Sequence, residues 1–196
     1  LTRTSDRTWQ RDVTLGANTL TIVFGHAIDA LCMCVGELME VSAVVSTQVP
    51  SWFESDTNRY VDVTSPDNIL VSGKLASGAV MSVHVATQPF HGSGQRLEVY
   101  GREGTLVIEG ADRRVLAGKG GETALEELPI PERFIQVPES VRQGTPFNVA
   151  QMYGRFGEAI RSDQRAEPAF APAVVRYRLL DAIQRASERG TSVRLD

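Results

Sequence analysis

The chain has 196 residues, 42% of them hydrophobic and 22% charged, with a formal net charge of −4 at pH 7. That is an ordinary globular composition, enough for one good core and marginal for two domains. Lys and Arg are scattered through a mildly acidic chain, which excludes nucleic acid and an anionic membrane as expected partners.

Residues 1–16 are polar and read as extended or looped chain. Asn18 or Thr19 is placed to cap a helix that runs to Val35, and Gly36 suits the position just past its end. No secretory signal is visible. The longest apolar run, residues 20–35, is broken by Gly25, His26 and Asp29, which argues against a membrane span. Cys32 and Cys34 point roughly 200° apart on a helix. They can share neither a metal nor a disulfide, and they read as two core thiols of a reduced cytoplasmic protein. Leu1 in place of Met points to sequence upstream.

Beyond the helix the periodicity changes. Residues 39–49 (MEVSAVVSTQV) are β-rich and partly alternating, and a short strand is expected around Tyr60–Val63. Residues 69–88 read as a hairpin about Ser77–Gly78. In its second strand Ala79, Met81, Val83 and Val85 share one face, with Val80, Ser82, His84 and Ala86 on the other. Residues 95–110 form another strand–turn–strand unit, and weaker strands follow around the glycines of AGKGG. Residues 129–146 are a proline-rich crossover. Thr145 and Pro146 open a helix whose apolar stripe is Val149, Met152, Tyr153, Phe156 and Ile160. The last helix runs from Pro172 to about Arg189 with a stripe of Val175, Leu179, Ala182, Ile183 and Ala186. SVRLD is a short closing strand. Strands segregated from helices imply an α+β fold, a predominantly antiparallel open sheet with helices packed on one face, in a single domain over 1–196. The other face is then left to solvent or to a second copy.

The helix carries the chemistry. Ile22, His26, Asp29 and Met33 fall along one stripe, so the Asp29 carboxylate is in position to orient the His26 imidazole and favour its protonated form. A histidine satisfied by Asp29 and packed between domains is the structural alternative to a catalytic one. His91, in QPFHGSGQ, sits in a loop after a strand and is either a substrate contact or a solvated residue. The three histidines lack metal-ligand spacing, and no serine or cysteine lies in a nucleophile motif.

Residues 9–37, WQRDVTLGANTLTIVFGHAIDALCMCVGE, resemble the opening of the C-terminal domain of the Gfo/Idh/MocA oxidoreductases. Trp9, Arg11, Asp12, Gly16, Leu20, His26, Asp29 and Gly36 match in type and nearly in spacing. The 78–110 hairpins and the final YRLLDAIQRASERGTSVRL are similar to later parts of the same domain, so the resemblance covers nearly the whole chain. It implies the substrate-binding and oligomerisation half of an NAD(P)-dependent dehydrogenase acting on a sugar or polyol. His26 would then stand at the reacting hydroxyl, with Asp29 and His91 at the substrate. A Rossmann domain outside this chain would hold NAD or NADP, and copies would associate through the open sheet. Ile22 departs from the pattern, which has an aspartate four residues before the histidine. An isoleucine can carry no proton. The L-T-I-x-x-G-H-x-x-D-A variant is similar to a branch that includes the yeast galactose-pathway repressor. That similarity implies a ligand-sensing regulator as the alternative, and a free-standing dimerisation module is the third reading. No G-x-G-x-x-G follows a strand and opens a helix. The isolated chain is therefore expected not to bind NAD(P), as isothermal titration calorimetry would check, because no helix start offers a pyrophosphate cradle.

Overall fold

The computed structural model describes residues 1–87, 90–92, 94–110, 114–142, 144 and 146–195. They divide into two units, Leu1–Phe90 with Phe170–Asp196, and His91–Ala169. The first unit contains strands β1 (Thr2–Arg3), β2 (Leu38–Ser46), β3 (Ser51–Glu54), β4 (Arg59–Asp62), β5 (Asn68–Leu75) and β6 (Val80–Ala86). The second contains β7 (Arg96–Tyr100), β8 (Gly104–Glu109), β9 (Arg114–Lys119) and β10 (Glu126–Leu128). The helices are α1 (Gly25–Val35) and α3 (Phe170–Arg189) in the first unit and α2 (Pro146–Arg161) in the second. A last strand, β11 (Val193–Arg194), returns to the first unit.

The main sheet of the first unit has the order β11-β2-β5-β6, antiparallel throughout. Strict alternation builds it. Val41, Ile69, Val71 and Leu75 are buried on one face, while Met81, Val83 and Val85 are half-buried along β6. Helix α3 covers β2 with Leu179, Leu180, Ala182, Ile183 and Ala186, all buried, and α1 with the residue before it adds Ile28, Leu31 and Phe24. Each large apolar side chain buried in this way contributes about 1.5–3 kcal/mol. Gly73 is required at its place, because a Cβ there would lie 2.5 Å from the Glu40 carbonyl oxygen and 2.6 Å from a Leu38 methyl. The hairpin turn falls where Ser77–Gly78 predicts it. Gly78 has φ 86°, and the Leu75 N–H donates to the Ala79 carbonyl at 2.8 Å.

The opposite face of this sheet is open. It exposes Met39, Val44, Leu70 and Val80, with Ser82 and His84 beside them. A row of three serines crosses its middle, Ser42 opposite Ser72 and Ser72 opposite Ser82. The α+β class, the mainly antiparallel sheet and the one-sided helices thus agree with the sequence.

Several local expectations need correction. Residues 1–16 are not loop. They form β1 and 3₁₀ turns over Ser5–Arg11 and Val13–Leu15. Strand β1 pairs in parallel with β3, which pairs antiparallel with β4, over a small core of Trp52, Val61, Val63 and Val49. The first helix starts where Asn18 predicts, its side-chain oxygen accepting from the Leu20 and Thr21 N–H groups at 3.0 and 3.3 Å. Its first turn, Leu20–Phe24, is a wide π-type turn before regular α geometry begins at Gly25. Cys32 is buried but Cys34 is exposed, so only one thiol belongs to the core. Val175 is 45% exposed, and the inward position of α3 is taken by its neighbour Arg176. By length and apolar character Val13–Val35 would suit a membrane crossing, contrary to the expectation from its sequence. The stretch is, however, broken into 3₁₀, π and α segments.

In the second unit β10-β9-β8-β7 form an antiparallel meander around buried Val107. The apolar stripe of α2 is where periodicity puts it, yet Val149, Met152, Tyr153, Phe156 and Ile160 are all exposed. The Thr145 cap lies outside the described residues.

Glu54, 2% exposed, ties the N-terminal segment to the small sheet. It accepts from the Thr8 hydroxyl, from the Thr57 hydroxyl at 2.7 Å and from Arg59 Nε at 2.8 Å. These hydrogen bonds, the Thr8 hydroxyl foremost, hold its carboxyl down at about 2 against an ordinary 4.5. A depressed carboxyl stabilises the fold above its unfolded value and loses that contribution as pH falls through the folded one. The N-terminal segment is therefore expected to loosen between about pH 4.5 and 2. Amide exchange across 1–11 would check this, and Glu54→Gln should remove the pH step.

Candidate functional site

His26 occupies the first turn of α1, directly after Gly25, and is exposed. Among the described residues it has no hydrogen-bond partner. The expected pairing with Asp29 is not what the structure contains. Asp29 Oδ1 instead accepts from Arg176 Nε at 3.1 Å. The same guanidinium reaches Glu37 with both terminal nitrogens, at 3.0 Å each. The reason is positional. Arg176 sits on the buried stripe of α3, 8% exposed, where an unpaired cation would be costly. Asp29 and Glu37, both more than half exposed along their side chains, meet it from the α1 side. These two carboxylates raise the guanidinium pKa against the opposing effect of burial. Burial pushes the neighbouring Cys32 thiol up to about 11, which keeps it protonated and inert at neutral pH.

The other sequence candidates stand apart from this cluster. His91 is exposed with φ 61° and opens the second unit. Its neighbours Gln88, Pro89 and Ser93 lie outside the described residues. His84 Nε2 lies 3.2 Å from Asn68 Oδ1 on the open sheet face.

A cavity of about 100 Å³ opens beside the wide turn that precedes His26. Ile22 and Val23 form its apolar side. Arg3, Trp52, Ser65, Asp67 and Thr87 contribute the rest of the wall, with Thr19 meeting Thr87 hydroxyl to hydroxyl at 3.0 Å. Trp52 Nε1 and Ser65 Oγ are buried without a partner among the described residues. Leaving such a group unpaired costs about 1–3 kcal/mol. The sequence offers no signal for a site here, because the wall is assembled from six separated segments. Arg176 carries no such signal either, since Arg178 and Arg185 also lie one position off the apolar stripe of α3.

Comparison with known proteins fits this geometry. Residues 2–110 match the family model described as the C-terminal domain of Gal80p. The chain is 27% identical over 212 residues to a dehydrogenase, AclE, of Aspergillus oryzae, covering 98% of this chain and 53% of that protein. A solved levoglucosan dehydrogenase, in complex with NADH and levoglucosan, superposes with a TM-score of 0.82 at 22% identity, over 96% of this chain and 53% of its own. Gal80p from Kluyveromyces lactis superposes with a TM-score of 0.77 at 20% identity, over 98% and 49%. The chain spans about half the length of the curated relatives AclE and an uncharacterized Synechocystis oxidoreductase.

The Arg176 cluster makes a direct prediction. Replacing both acids, Asp29→Asn with Glu37→Gln, strands a buried cation and should cost about 1–3 kcal/mol, reduced from the fully buried case because the acids are half exposed. Arg176→Met, which removes the charge as well, should cost less than the double variant. Urea unfolding of the three proteins would check the order.

Proposed function

The chain belongs to the family of Gal80p-type C-terminal domains, and from that membership we propose that it is the substrate-facing half of an NAD(P)-dependent oxidoreductase acting on a sugar or polyol CH–OH group. The observation that carries the reading is the placement of His26. The imidazole stands on an exposed helix start, unpaired among the described residues, rather than sealed in the core. A free imidazole at that position can accept the hydroxyl proton of an alcohol as the carbon gives up hydride. The dehydrogenase relative and the NADH-bound levoglucosan enzyme support the reaction class.

The residues of this chain do not by themselves fit a dinucleotide. Its glycine turns at 101–104 and 118–121 join antiparallel strands rather than a strand to a helix. In this reading NAD or NADP is held mainly by a Rossmann domain outside these 196 residues, and the present chain supplies the hydroxyl side of the reaction. Asp29 acts there as a structural partner of Arg176, and His91 remains a candidate substrate contact in its exposed loop. The 196 residues would form one C-terminal domain comprising both units. The open sheet face, with Met39, Val44, Leu70 and Val80 exposed, is proposed as the surface through which copies associate.

A second reading is favoured by Ile22, 37% exposed on the approach to His26. An apolar side chain there supports a ligand-sensing regulator built on the same body, as the likeness to Gal80p from Kluyveromyces lactis suggests.

One experiment separates the two. The full-length protein carrying this chain would be titrated with NAD(H), NADP(H) and a polyol panel, with turnover and binding both recorded. Turnover is expected, with His26→Ala lowering kcat/KM by about 10²–10⁴-fold while cofactor affinity stays unchanged. Binding without turnover would overturn the enzyme reading in favour of the sensor.

A further inference from the structure

We propose that the apolar face of α2 is the surface on which the domain preceding Leu1 docks. The proposal rests on the reading above that such a domain exists, and it assigns that domain a place on the second unit.

The helix faces the wrong way for a free surface. Val149, Met152, Tyr153, Phe156 and Ile160 share one side and are 49–69% exposed. The side that is held is the other one. Gln151 lies roughly 140° round the helix from Phe156 at about 100° per residue. Its Oε1 accepts from the Gln136 N–H at 2.7 Å, and its Nε2 donates to the Phe134 carbonyl. Phe147, one turn before Gln151, is half-buried, and no residue of α2 is fully buried. Helices in folded proteins draw most of their stability from packing an apolar face. This one also carries Gly154 and Gly157 in its interior, and each weakens a helix relative to alanine. A bare apolar side on a helix tied down by its polar side calls for a cover.

Size selects the occupant. Over residues 149–160 the strip is about 17 Å long and one helix, about 10 Å, wide. A stable dimer needs about 800 Å² per partner, well beyond such a strip. A domain of the same polypeptide needs less, because its tether presents it at an effective concentration in the millimolar range. Interfaces between domains of one chain accordingly begin at about 600 Å² in total. The relatives have the length to supply one: the match covers 53% of AclE and 50% of the Synechocystis oxidoreductase. The five side chains of the strip are uncharged, so what covers them is apolar surface rather than a charged ligand.

The test places a photoreactive probe on the strip. In the full-length protein carrying this chain, p-benzoylphenylalanine would replace Tyr153 or Phe156, and Glu158 as a control on the opposite side. After irradiation, mass spectrometry would map the crosslinks, with mixed ¹⁴N and ¹⁵N copies separating contacts within one molecule from contacts between two. The probes at 153 and 156 are expected to crosslink within one molecule to residues preceding Leu1, and the probe at 158 is not. Phe156→Glu should cut the yield from position 153 by about tenfold or more with an unchanged circular dichroism spectrum. Crosslinks to a second copy, crosslinks confined to these 196 residues, or none at all would overturn the assignment, as would equal yield from position 158. Cofactor binding and turnover of the same preparations report the dehydrogenase reading separately. A protein that binds NAD(P) and turns over while its probes crosslink elsewhere keeps that reading and loses this docking surface.

Discussion

A buried guanidinium fixes the geometry on which the candidate site depends. Arg176 reaches from the inner stripe of α3 to Asp29 on α1 and to Glu37 on the link into β2. One side chain therefore joins α3, α1 and the link that follows α1. Burying the cation is costly, and the two carboxylates offset that cost only in this geometry. It acts together with the burial of Ile28, Leu31 and Cys32, which face inward while His26 faces outward. The aspartate three residues along does not serve the histidine. It serves the helix that carries the histidine.

The same arrangement explains how one body suits both functional readings. The core below α1 is conventional: a one-sided antiparallel sheet under α3, with Val41, Ile69 and Ile183 fully buried. Nothing in it is specialised for chemistry. On the proposed reading, a catalyst and a sensor on this frame would differ at exposed positions around the helix start, Ile22 among them. A change of role can therefore occur at the rim with little effect on the packing that holds the frame together.

The fold was legible in the sequence wherever periodicity is enforced by burial. The strands over 38–46, 68–75 and 80–86 alternate because one face of their sheet is more buried than the other, and Gly78 marks the turn because its φ is positive. Legibility fails where a residue is held by something distant in sequence. Residues 1–16 look like loop because they lack a periodic apolar pattern, yet Glu54, some fifty positions away, organises them through Thr8. Asp29 looks like the partner of His26 because they share a helix face, but Arg176, 147 positions away, takes it instead. Apolarity places Val175 inward, although the inward residue is its charged neighbour Arg176. The stripe on α2 is correctly phased and still exposed, since phase says which residues share a face and not whether that face is covered.

The serine row across the open sheet has its own consequence. Each hydroxyl rotor can donate or accept, so Ser42, Ser72 and Ser82 carry no fixed polarity and present the same pattern to a copy turned by half a revolution. Their short side chains also leave the centre of the sheet low between the bulkier Val44–Leu70 and Val80 flanks. A surface that is amphoteric and low at its centre in this way can hold water in either hydrogen-bond direction.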